Sequence, residues 1–231
     1  MNDLSKNAAA RNAARPAEER VFTNKRAEGK ARSRLRLLAA AKQLVMERGY
    51  EGATVREIAA AAGLSTGAVF ASFADKAELF DAVMQDDCEA QAEAMRRAAE
   101  IGGSVADRLL GVLGAAYAFH LDQLELLRAG MSASWAHGLK GELGDRPPRA
   151  VAMELFHEIL ADAVKDGELA GSAKLDLTAE MLWHCYVGNY RRVLFADWDL
   201  AQLKSHTAEE IDLLLSGQRR TPIGGQGHAR A

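Results

Sequence analysis

Between residues 54 and 73 the chain reads TVREIAAAAGLSTGAVFASF, and this stretch leaves the backbone few options. Thr54 and Glu57 form a Thr-x-x-Glu capping box, which satisfies two orphan backbone donors at a helix start. Gly63 ends that helix after little more than two turns, and Ser65 caps a third helix running to about Phe73. Ala59 is small where two helices must approach closely. Gly63, four residues later, stands where the turn needs a left-handed backbone, which glycine adopts at little cost. Ile58, Ala62, Leu64, Val69 and Phe73 supply a small core. This is the spacing of a helix-turn-helix, whose second helix enters the major groove of DNA.

The remainder points to an all-α chain. Four prolines punctuate long Ala- and Leu-rich stretches, and neither β-branched runs nor hairpin signals occur. A first helix is expected from about Lys30 to Arg48, with Gly49 as its stop. Asp75 and Glu78 open a long fourth helix reaching about Glu100. Val105, Leu109, Leu113, Ala116, His120 and Leu124 keep helical spacing, followed by a segment with Met131 and Trp135. Gly138 to Pro148 and Gly167 to Lys174 read as loops, with an amphipathic helix around Phe156 between them. Residues 178–198 are apolar on most sides, which implies burial on more than one face. Thr207 and Glu210 are expected to cap a last helix ending near 216. Residues 1–28 read as a disordered basic arm and 217–231 as a frayed tail.

The net charge of −3 conceals a polarity. Residues 1–50 carry 12 Lys+Arg against 5 Asp+Glu, while the rest is acidic. A basic front on an acidic body suits a polyanion at one end, and a solvated basic tail would look the same. No apolar run approaches a membrane span and no signal peptide is visible, so a cytoplasmic chain without membrane attachment is expected. Cys88 and Cys185 lack disulfide or metal-site spacing. Neither a nucleophile elbow, a phosphate loop nor a zinc motif is present, so no catalytic residue, metal or cofactor is assigned and an enzyme is not expected.

The stretch from Leu37 to Val83 resembles the DNA-binding domain of the TetR (tetracycline-repressor-like) family. The matching marks are Ala40-Ala41, Leu44, Gly49-Tyr50, Thr54-Val55, Ile58-Ala59, Ala62-Gly63-Leu64-Ser65, Gly67, Val69, Phe73, Asp75-Lys76 and Leu79. The resemblance implies a three-helix DNA-binding domain over residues 29–76, then a helical effector-binding and dimerisation domain over 77–216. It also implies a homodimer built on helices near 178–198 and 207–216, a palindromic double-stranded operator and a small-molecule effector. A repressor released by that effector is the leading expectation. An activator or architectural binder of the same fold, or a helical effector-binding protein or enzyme without DNA binding, are the alternatives.

For DNA, the resemblance places Thr54 and Lys76 at phosphates and Arg56 at a base or phosphate. On the recognition helix it offers Ser65, Thr66, Gly67, Ala68, Phe70, Ala71 and Ser72. Thr66 suits a base hydrogen bond, and Ala68 or Ala71 suits a thymine methyl. The family most often carries a tyrosine at the position of Phe70, with its hydroxyl on a phosphate, and Phe70 lacks that hydroxyl. Lys25, Arg26, Lys30, Arg32 and Arg34 are candidates for a minor-groove arm, with Arg32 and Arg34 equally readable as exposed positions on the first helix. Residues suited to line an effector pocket are Tyr117, His120, Met131, Trp135, Phe156, Trp183, His184 and Tyr186. Residues of these types are more often core residues than ligand contacts.

Overall fold

The computed structural model describes residues 17–137 and 147–219. All regular structure in them is helical: α1 (Ala17–Gly52), α2 (Val55–Ala61), α3 (Thr66–Phe70), α4 (Lys76–Ala99), α5 (Val105–Leu121), α6 (Leu124–His137), α7 (Pro147–Lys165), α8 (Leu175–Ala196) and α9 (Leu200–Ser216). The chain divides into two compact units, Met1–Val83 and Met84–Ala231.

In the first unit, α1 supplies Leu37, Ala40, Ala41, Leu44 and Val45 as one buried stripe. The spacing is that of a single helical face, so burying it orients α1 against α2. Gly49 breaks the helical path with φ 71° and ψ 172°, as expected of a stop glycine. The helix begins at Ala17, however, inside the segment read as a disordered arm. Ala-, Glu- and Arg-rich sequence carries helix propensity even where it has no core to bury, and the arm reading weighed only the missing apolar groups.

In the second unit, α9 packs along α5 and α8, and α7 packs against α5 and α8. Leu109, Leu113, Phe156, Ile159, Leu160 and Leu182 form part of one continuous core there, each almost fully buried. The expected stretch of helical spacing from Val105 to Leu124 is broken: α5 is capped at Asp122, and α6 starts at Leu124.

The last helix also differs from expectation. It starts at Leu200, not near Thr207. Asp197 adopts a left-handed conformation that ends α8. Asp199 then accepts from the Gln202 amide while the Gln202 side chain accepts from the Asp199 amide. That closes a capping box eight residues earlier than the Thr207–Glu210 pair, and no breaker interrupts the helix afterwards. Thr207 is buried in mid-helix.

Part of the expected frayed tail is fixed as well. Ala170 donates to the Gln218 carbonyl at 2.8 Å, and Leu169 pairs with Arg219 in an isolated bridge. The Gln218 side chain accepts from the Lys174 amide and donates to the Thr178 hydroxyl, each at 2.9 Å. One amide side chain therefore staples the loop before α8 to the end of α9. The rest of that tail, 220–231, and the expected loop from 138 to 146 lie outside the described residues.

Candidate functional site

The reading head is assembled by local hydrogen bonds that the sequence specifies. The Thr54 hydroxyl accepts from the Glu57 amide at 3.2 Å, and the Glu57 carboxylate accepts from the Thr54 amide and hydroxyl. Those two Thr54 bonds, with Arg48 at 2.7 Å adding to them, hold the Glu57 carboxyl below its ordinary range. Gly63 has φ 63°, and around it the Gly63 amide donates to Ala60 and the Leu64 amide to Ala59. Ser65 then accepts from the Ala68 amide at 3.2 Å and opens α3. At the next helix start the closure is displaced by one residue. The Glu78 amide donates to Asp75, but the Glu78 carboxylate reaches Ala74.

The core of this motif is Ile58, Ala59, Ala62, Val69 and Phe73, all buried, with Leu64 half-buried. Thr66, Gly67, Phe70 and Ala71 form the exposed outer face of α3, and Ala68 and Ser72 are half-buried. Thr54, Arg56 and Ser65 are exposed. The Ser65 hydroxyl is committed to its cap, so Ser65→Ala should cost about 1 kcal/mol of first-unit stability. A urea melt of the variant checks this, and a curve superimposable on wild type would contradict it.

Two arginines of α1 bracket this head, which the sequence alone did not indicate. Arg34 donates from Nη1 to the Ser72 carbonyl at 3.3 Å, and its guanidinium lies 4.3 Å from the centre of the Phe73 ring. Arg36 places Nη2 where a Cβ on Gly63 would come within 2.6 Å. Of the arm candidates, Lys30 and Arg32 are exposed on α1. The side chains of Lys25 and Arg26 lie outside the described residues. Lys76 is half-buried with its ammonium 4.2 Å from the centre of the Tyr50 ring, a cation–π contact.

The model for the family described as bacterial regulatory proteins, tetR family, matches residues 37–83, the segment that forms this head. That segment is a TetR-family DNA-binding domain. Over 61 residues the chain is 46% identical to the HTH-type transcriptional repressor AcnR of Corynebacterium efficiens. That match covers 26% of this chain and 32% of AcnR, so the chain aligns with about a third of that relative's length. The HTH-type transcriptional repressor BepR of Brucella suis is 26% identical over 196 residues, 82% of this chain and 88% of BepR. The fold also resembles the regulator FadR from Bacillus subtilis, solved in complex with stearoyl-CoA. The TM-score is 0.60 at 17% identity, covering 79% of this chain and 98% of FadR.

The second unit holds a buried polar cluster. Gln91, 1% exposed, donates to the Tyr186 hydroxyl at 2.6 Å and to the Ala116 carbonyl at 3.4 Å. A carbonyl only accepts, which fixes the orientation of the Gln91 amide. The same amide nitrogen lies 3.1 Å from His120 Nδ1. The Tyr190 hydroxyl is 2.6 Å from Nδ1 and within hydrogen-bond reach of the Tyr186 hydroxyl. His120 Nε2 lies 3.8 Å from Asp87 Oδ2. Gln91, Tyr186, Tyr190 and His120 thus form one connected polar cluster, with the buried Asp87 carboxylate beside the imidazole.

Tyr117 completes the cluster. It accepts from Asn189 at 3.2 Å and stacks at 5.0 Å on Tyr186. Of the residues proposed for an effector pocket, Tyr117, His120 and Tyr186 meet here, and Trp183 packs 5.3 Å from Tyr186. Phe156 is fully buried in the core, and Met131 is half-buried against it. His184 does not join them. It lies on the exposed side of α8, because the step of two residues to Tyr186 turns it to another face. The side chain of Trp135 is outside the described residues. Gln91, Asp87, Asn189 and Tyr190 were missed. Their signal was the i,i+4 pairs Asp87–Gln91 and Tyr186–Tyr190, each on the inward face of its helix.

Burial pushes the Tyr117 phenol up to about 12, and Tyr186 and Tyr190 higher still for the same first reason. The folded state therefore favours neutral phenols, whereas an unfolded chain ionises them near pH ~10. Their stabilising contribution is complete below that pH and is lost as pH climbs toward the raised values. Phenolate absorbance from these three tyrosines should appear together with the loss of helical circular dichroism. Titration of all four tyrosines near the ordinary value with the helical signal intact would contradict it.

Among the described residues, no group of three His, Cys, Asp or Glu is placed to hold a metal. Nor is any described helix long and apolar enough to cross a membrane.

Proposed function

We propose that this chain is a cytoplasmic, homodimeric transcriptional regulator, a repressor that leaves a palindromic operator when a small molecule binds its second unit. The observation that carries the reading is the helix-turn-helix itself: a capped α2, a left-handed Gly63 and a capped α3 within the family match. Its outer face is free of acidic side chains and bracketed by arginines, as a phosphate-lined groove requires. Thr54, Arg56 and Lys76 serve as phosphate contacts around α3 and position the head, while α3 addresses the base edges.

The partner subunit is the second half of the reading. Leu177, Met181 and Phe195 on α8 and Leu213 on α9 are exposed apolar groups, Phe195 at 77% and Leu213 at 76%. On α8 they share one side with His184 and Gly188, at steps of three and four residues. A second copy covering this side would remove them from water, and helices α8 and α9 supply the interface. The repressor sign follows the AcnR and BepR relatives. The effector role follows FadR, whose complex with stearoyl-CoA shows this fold accommodating a ligand. The cluster around Tyr117 and Tyr186 offers polar groups for an effector's orientation, with Phe156 and Trp183 as apolar walls.

Footprinting of the full-length protein on the DNA upstream of its own gene tests the reading. The expected result is protection of two half-sites about one helical turn apart, lost at raised salt. Expression of a reporter behind that DNA should rise when the protein is deleted. Absence of any sequence-specific complex would overturn the proposal, and a fall in reporter expression would reverse its sign.

A further inference from the structure

We propose that Phe70 is a specificity-determining residue that reads the 5-methyl groups of thymines in the major groove. This rests on the DNA-binding reading above and adds to it how sequence is read.

The argument starts from what α3 can offer a base edge. Its outer face consists of Thr66, Gly67, Phe70 and Ala71. Thr66 alone among these carries a side-chain hydrogen-bonding group, and none of them is charged. The bidentate pairings that discriminate guanine or adenine need Arg, Lys, Asn or Gln, and α3 has none of these. What it has is an aromatic ring 57% exposed, on the most exposed side of a helix whose apolar partner Val69 is buried. The ring makes no aromatic or cation–π contact among the described residues, unlike Phe73 three residues on, which carries Arg34. The one apolar feature on a major-groove edge is the thymine methyl group.

The surroundings specify the occupant. Arg34 is bound at the Ser72 carbonyl, at one end of the head, and Arg36 stands at Gly63, at the other. Arg56 is exposed, and Lys76 is held over Tyr50. An apolar centre with a cationic rim complements a groove whose floor carries methyl groups and whose walls carry phosphates. An acidic or neutral protein surface would satisfy the rim without needing the exposed ring to face a flat edge. Gly67, lacking a side chain beside Phe70, lets the backbone come close enough for the ring to reach the groove floor.

The experiment uses the full-length chain and a duplex that it selects from a random pool. Each thymine of the enriched site is replaced in turn by deoxyuridine, which removes the methyl and preserves every hydrogen-bonding group. At one or two positions per half-site, affinity should fall about fourfold, the expected worth of one buried methyl. Phe70→Ala should weaken binding to the thymine duplex and abolish the penalty for deoxyuridine at those positions. Phe70→Tyr, which keeps the ring, should retain it. Because Phe70 is exposed, the variants should keep wild-type circular dichroism and melting. A specific duplex with a flat deoxyuridine scan, or a penalty that persists in Phe70→Ala, overturns this inference and leaves the DNA-binding reading standing. Failure to enrich any duplex overturns both.

Discussion

Gly63→Val is expected to abolish specific DNA binding while leaving the second unit folded. At φ 63° an ordinary L residue carries a strain of about 1–2 kcal/mol, and a β-branched residue is a true outlier there. An added Cβ also meets Arg36 Nη2 at 2.6 Å. That neighbour is the flexible end of a long side chain and can swing away, so Gly63→Ala should carry mainly the backbone strain. Valine cannot escape so cheaply. The turn must open, and the Gly63 and Leu64 amide bonds to Ala60 and Ala59 that set α3 against α2 are lost with it. Binding should therefore drop on the order of tenfold for alanine, the equivalent of the strain, and much further for valine. Titration of both variants against one selected duplex, beside urea melts, checks this. Two variants that bind and melt like wild type would refute the role given to Gly63.

The second large effect belongs to Tyr117. Its side chain is fully buried against Tyr186 and Tyr190 and bonded to Asn189. Tyr117→Ala should remove about 3–5 kcal/mol from the second unit, through lost transfer energy plus an unfilled cavity. Tyr117→Phe keeps the ring and should cost about 1–3 kcal/mol, the price of a buried partner left unpaired. The lower end is expected, because the same Asn189 nitrogen also donates to Glu210 at 2.8 Å. Tryptophan fluorescence is a suitable reporter, since Trp135, Trp183 and Trp198 all belong to the second unit. Equal losses for the two variants would show that the hydroxyl, and not the packed ring, dominates.

The reading head was legible because its constraints are local. Thr54 with Glu57, Gly63 and Ser65 act on backbone groups within four residues of themselves, so their spacing alone specifies two short helices and the turn. The same logic misplaced the start of α9. Thr207 and Glu210 have the right spacing for a capping box, but so do Asp199 and Gln202, and the left-handed Asp197 decides for the earlier pair. Local signals propose helix starts; the path of the preceding helix chooses among them.

The core of the second unit was legible only in outline. Tyr186 was picked out as a large aromatic group, whereas Tyr190, Gln91 and Asp87 were not. The cluster of Gln91, His120, Tyr186 and Tyr190 joins α4, α5 and α8 across as many as 95 positions of sequence separation. No periodicity within one helix encodes which polar group of another helix will meet it. The arginines Arg34 and Arg36 were hidden for the same reason, since they reach Ser72 and Gly63, on either side of α3, from more than twenty-five residues earlier on α1.

By itself, then, the sequence determined the helical class, the Gly63 turn and the faces of α1 and α3 that turn inward or outward. These follow from backbone sterics, capping and the 3.6-residue repeat, all of which act over a few residues. Only the tertiary structure decided that two α1 arginines bracket the recognition helix and that a buried polar cluster joins three helices of the second core. Those depend on packing between distant helices, where burial of the apolar faces determines which polar groups are left to find one another.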